Sequence, residues 1–105
     1  MTDRLETMRA MVARAPDNVL ARFGFANELL KAGRHVEGAG ELAEYLARHD
    51  DEGAGWLRYA ETLHLLGRAD DARDAVAKGM SAASRHGHAA LTAEFEARLE
   101  DWSGL

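Results

Sequence analysis

Apolar residues recur at helical spacing along nearly the whole chain. Leu5, Met8, Met11 and Val12 share one helical face, as do Phe25, Leu29 and Ala32. The same spacing groups Trp56, Tyr59, Ala60 and Leu63, then Ala72, Ala75, Val76 and Met80, then Leu91, Phe95, Leu99 and Trp102. Breakers separate these stretches: Ala15-Pro16-Asp17-Asn18, Gly33-Arg34, Asp50-Asp51-Glu52-Gly53, Gly67-Arg68 and His86-Gly87-His88. They leave six segments of roughly 13–17 residues joined by very short loops, which force neighbouring helices to run antiparallel. Asp17, Asn18 and Asp70 are the expected helix caps, whereas the segment from Val36 has none and contains Gly38 and Gly40.

Composition strengthens the helical reading. There is no isoleucine, and valine occurs only at Val12, Val19, Val36 and Val76, so no strand-forming run exists. Ala, Leu, Glu and Arg, the good helix formers, dominate. The fold class is therefore all-α. At 105 residues the chain holds one domain or a short repeat array. Absent cysteines exclude disulfides and thiolate chemistry. No apolar run is long enough for a membrane span, and the first residues lack a signal-peptide core. A cytoplasmic protein with no membrane association is expected. The net charge of −5 argues against nucleic acid, since duplex binding calls for a basic excess.

A shift of 34 residues aligns Asp17 with Asp51, Ala26 with Ala60, Leu29 with Leu63, Gly33 with Gly67, Arg34 with Arg68 and Ala43 with Ala77. Phe25/Tyr59, Gly38/Ala72, Leu42/Val76 and Leu46/Met80 fill matching apolar or small positions. The stretch Trp56-Leu57-Arg58-Tyr59-Ala60-Glu61-Thr62-Leu63, followed by Gly67-Arg68-Ala69-Asp70-Asp71-Ala72, resembles a tetratricopeptide repeat, or TPR. The first copy departs from the motif: Arg22 replaces an aromatic, and Tyr45 replaces the usual alanine of the second helix.

The resemblance implies a TPR-like α-solenoid of antiparallel helix pairs, about six helices in all. It divides the single domain 1–105 into an N-terminal helix (2–15), a first repeat (17–50), a second repeat (51–84) and a C-terminal capping helix (88–102). Ala26 and Ala60 would be small because paired helices approach most closely there, with Gly38 and Ala72 meeting that crossing.

By motif position, the resemblance also implies a concave groove for a partner peptide or helix. The first repeat would offer Leu20, Phe23, Asn27, Leu30 and Lys31. The second would offer Leu57, Arg58, Glu61, His64 and Leu65, with Ala54 beside them. Leu91, Phe95, Arg98 and Leu99 of the last helix are further candidates, its register left open because the turn before it departs from the motif. The lysine-asparagine-arginine set by which one TPR subtype grips C-terminal carboxylates is not matched, since Phe23 stands in place of the first lysine. The expected function is non-catalytic protein–protein interaction, with a protein or peptide as partner. The alternative is a homodimer whose groove is filled by its own second copy. Internal packing, with Phe23, Leu57 and Leu65 covered by a terminal helix, is the third reading.

Other chemistry is weakly signalled. Residues 35–55 hold one arginine, Arg48, against six acids, and Glu37, Glu41 and Glu44 share one helical face. A solvated face explains that better than a basic partner. His86-Gly87-His88 offers two imidazoles, but zinc requires three or four converging ligands, so neither metal nor cofactor is expected. No phosphate loop or nucleophile elbow is present, and no enzyme is expected.

Overall fold

The structure of the chain, a computed structural model, describes residues 3–103. These form six α-helices and no strand: α1 (Arg4–Arg14), α2 (Val19–Lys31), α3 (His35–Arg48), α4 (Ala54–Leu65), α5 (Ala69–Arg85) and α6 (Ala89–Trp102). α1, with 11 residues, and α4, with 12, are shorter than the breakers alone suggest. α1 starts only after its cap, Asp3, whose carboxylate accepts from Leu5 N–H. The chain divides between Asp50 and Asp51 into two compact units.

In the first unit α2 packs against both α1 and α3. Val12, Phe25 and Leu29 are buried together, flanked by Leu5, Met8 and Ala21. Met11 departs from the expected face and is exposed. The α2–α3 pairing uses small residues as expected: Ala26 is fully buried, and a β-carbon on Gly38 would meet Leu30 and the carbonyl of Ala26. Tyr45 is buried despite standing where the repeat usually has alanine. Its ring packs on Phe23 with centroids 4.7 Å apart. Arg22, the other departure, is buried on α2 and donates to Glu41 of α3 at 2.8 Å and to the Pro16 carbonyl at 3.3 Å.

The second unit is built likewise from α4, α5 and α6. Leu57, Ala60 and Leu63 of α4 share a core with Ala72, Ala75 and Val76 of α5 and Phe95 of α6. The buried carboxylate of Asp51 opens this unit. It accepts from the N–H groups of Gly53 and Gly55, both at 2.8 Å, and so caps α4. Its counterpart by repeat, Asp17, makes no cap. Asn18 caps α2 by accepting from Ala21 N–H, while Asp17 pairs with Arg48 at 3.0 Å. Asp70 is not a cap either. α5 begins one residue earlier, so Asp70 and Asp71 sit inside its first turn, where they complement the positive helix end.

One turn recurs three times. Gly33, Gly67 and Gly87 have φ of 79°, 79° and 73°, and the next residue donates back across the helix end. The bonds run from Arg34 to Leu29, Arg68 to Leu63 and His88 to Ala83 at 2.8–2.9 Å. This is the glycine-terminated Schellman geometry, which satisfies carbonyls left open at a helix C-terminus. α6 therefore leaves α5 by the same device that joins α4 to α5 and α2 to α3.

Candidate interaction face

The residues expected to line a groove fall into two groups, one in each unit. On α2, Leu20 is 76% exposed and Lys31 is exposed, whereas Phe23, Asn27 and Leu30 are half-buried. Phe23 is partly covered by Tyr45. Leu30 is turned toward Gly38 of α3. The Oδ1 of Asn27 is enclosed and has no hydrogen-bond donor among the described residues, so its acceptor is unmet. Lys31 approaches Glu28, at 3.6 Å, which also receives Arg4 at 3.5 Å.

On α4 the expected open face is occupied by α6. Leu57, expected to face a groove, is only 9% exposed and belongs to the core that contains Phe95. Glu61 accepts from Arg98 Nε at 2.9 Å. His64 stays exposed on one side while its ring stacks on Trp102, with centroids 4.4 Å apart and planes 12° from parallel. Leu57, Glu61 and His64 lie at i, i+4 and i+7, and Phe95, Arg98 and Trp102 of α6 answer them in the same order along its own length. The exposure expected of Leu57 is thus corrected, because the last helix supplies apolar, charged and aromatic complements to that face. Arg58 and Leu65 stay exposed, Leu65 by 62%.

What α6 leaves open is the far end of this face. A surface cavity of about 590 Å³ lies between the start of α4 and the first turns of α6. Ala54, Ala89, Ala90 and Leu91 form its apolar lining, and Glu52, His88 and Glu94 its polar one. His88 Nε2 lies 2.7 Å from Glu52 Oε1, and His86 Nδ1 lies 3.8 Å from the same oxygen. Those contacts hold the Glu52 carboxyl below its usual range, the His88 hydrogen bond being the main cause. Glu94 has no hydrogen bond or ion pair among the described residues. No group of three or more His, Asp or Glu side chains among the described residues is arranged to hold a metal ion.

The acidic run of α3 is not a free acidic surface. Glu37 receives Arg9 and Arg34, Glu41 receives Arg22, and Glu44 receives Arg48. The Arg9 hydrogen bond lowers the Glu37 pKa and Glu37 raises that of Arg9. Arg48 lies on α3 itself, one turn from Glu44, whereas Arg9, Arg22 and Arg34 come from α1, α2 and the α2–α3 turn, which spacing within α3 alone does not reveal.

Helix pairs closed by a Gly-Arg turn, small residues at their crossing and a 34-residue period define a helical-repeat protein. A family model described as tetratricopeptide repeat matches residues 1–83. The chain belongs to the tetratricopeptide repeat family. It is 30% identical over 83 residues to a TPR repeat-containing protein of Pseudomonas aeruginosa, an overlap that covers 79% of each chain. No solved structure matches it significantly. The family assignment makes the chain a protein–protein interaction module in outline. Among the described residues no helix is long and apolar enough to cross a membrane.

Proposed function

We propose that the chain is a non-catalytic docking module for a segment of a partner protein. In the second unit the segment would lie in the cavity at the N-terminal ends of α4 and α6. The observation that carries this reading is the contrast along α4. Leu57, Glu61 and His64 are taken up by α6, while the cavity beyond them has an apolar floor of Ala54 and Leu91 open to solvent. Clefts with an apolar floor and a few polar groups are the usual seats of bound peptides. On the first unit, Leu20, Asn27 and Lys31 of α2 remain candidate contacts, with an exposed leucine and an unmet acceptor among them. Arg58 and Leu65 are the candidates left on α4 outside the cavity.

Site-specific photocrosslinking tests this. A benzophenone side chain is placed at Ala54 or Leu20 of the full chain, with exposed Arg73 of α5 as the control position. Crosslinks to another polypeptide in an extract of the source cells are expected from Ala54 and Leu20, and not from Arg73. Equal labelling from all three positions would reject the proposal.

Self-association is the second reading. Its candidate contacts are Leu20 and Val36 of the first unit, each 76% exposed. A crosslinked band at twice the chain mass, with sedimentation as a dimer at micromolar concentration, would establish it.

A further inference from the structure

We propose that the cavity between the start of α4 and the first turns of α6 receives an arginine or lysine of the partner segment, seated between Glu52 and Glu94. This rests on the docking reading above and adds the chemistry of the occupant. The cavity has two carboxylates and no lysine or arginine in its lining. Glu94 makes no direct ion pair among the described residues: Arg98, one turn on along α6, feels its charge but places its guanidinium on Glu61 of α4. Glu52, like any exposed carboxyl, is ionised at neutral pH, and His88 Nε2 and His86 Nδ1 both approach its Oε1. Ala54, Ala90 and Leu91 line the same cavity with methyl and methylene groups. Long basic side chains match such a surface. Their aliphatic stems lie on apolar atoms while the charged head reaches the carboxylates.

The surrounding charge points the same way. The second unit carries ten Asp and Glu against six Lys and Arg, and most of the chain's net charge of −5 falls there. The start of α6 contributes only about half a positive charge from its dipole. Two whole carboxylate charges outweigh it, so an anionic ligand is disfavoured at this place.

The test is a titration of the full isotope-labelled chain with acetyl-Leu-Arg-Leu-Arg-amide, followed by backbone amide shifts. The expected result is saturable shifts at Ala54, Ala90, Leu91 and Glu94. Affinity should fall with added salt and weaken about threefold to fivefold in Glu94→Gln and in Glu52→Gln. Glu100→Gln, on the same helix outside the cavity, should leave it unchanged. Two further peptides carry glutamine or glutamate in place of arginine. Equal binding of the glutamine peptide at the same residues would overturn the charge assignment and leave the docking reading standing. Preferential binding of the glutamate peptide would overturn it in favour of an anion. Shifts from no peptide at α4 or α6 would overturn both readings together.

Discussion

The ring of Phe95 lies against the backbone of Gly79, so close that a β-carbon on that residue would overlap it. The same carbon would stand 2.8 Å from Cβ of Trp56. Phe95 is fully buried and has no room to retreat. Gly79→Ala should therefore destabilise the second unit by about 1–3 kcal/mol, even after the gain of about 1 kcal/mol that alanine brings to a helix interior. Gly38→Ala provides the contrast. Its new methyl would press mainly on the flexible end of Leu30, which is only half-buried. Urea unfolding should show a clear loss for Gly79→Ala and a change near zero for Gly38→Ala.

Leu57→Glu is expected to unfold the second unit and not merely to weaken binding. Leu57 shares a core with Phe95, Leu63 and Val76, and no cation lies among the residues of that cluster. Removing the leucine costs roughly 2–5 kcal/mol, and burying a carboxylate without a partner adds to it. Circular dichroism should report a large loss of helix or of melting temperature. A Leu57→Glu chain as stable as the parent would show that α6 does not cover α4 in solution. Ala54→Arg, on the cavity floor, is the variant suited to testing binding, since Ala54 is exposed at the start of α4.

Much of this architecture is legible in the sequence, and the reason is local. Helix formers, breakers and the Gly33/Gly67 pair act within a few residues of themselves, so spacing alone exposes them. The turn at Gly87 carried the same signal: a glycine, one intervening residue, then alanines opening a helix, as at Gly67-Arg68-Ala69. Reading it as equivalent would have fixed the register of α6. The covering of α4 was not legible, because it depends on Arg98 finding Glu61 and Trp102 finding His64 across 37 and 38 positions of sequence. The pairing of Glu37 with Arg9 and of Glu41 with Arg22 was hidden for the same reason. Glu37 and Arg9 are 28 residues apart, and nothing in either segment names the other.

Arg22 shows how a departure from the motif is absorbed. It is buried on α2 where an aromatic is usual, and its Nε has no hydrogen-bond partner among the described residues. Glu41, half-buried on α3, is its counter-ion. Glu41→Ala should cost about 2–3 kcal/mol, somewhat below a fully enclosed pair because the carboxylate retains solvent. Arg22→Met combined with Glu41→Ala should recover most of that loss, since no buried charge is then left alone. A double-mutant cycle in urea measures the coupling. Additive losses would show that the two side chains do not interact.

Glu52 links the start of α4 to the α5–α6 turn through His88 and His86, and its titration reports that link. Its folded pKa lies below the ordinary value of 4.5, chiefly because of the hydrogen bond with His88. A carboxyl depressed on folding contributes stability that is fully present above pH 4.5. That contribution is lost as pH falls through the depressed folded value. Carbon-detected titration of the Glu52 carboxyl should give a midpoint below 4.5. His88→Ala should move it upward, part of the way back, because the charge of His86 remains nearby. The pH dependence of stability below 4.5 should shrink in the same variant. A midpoint that His88→Ala leaves unmoved would mean that the α5–α6 turn is not held to the start of α4 by this pair.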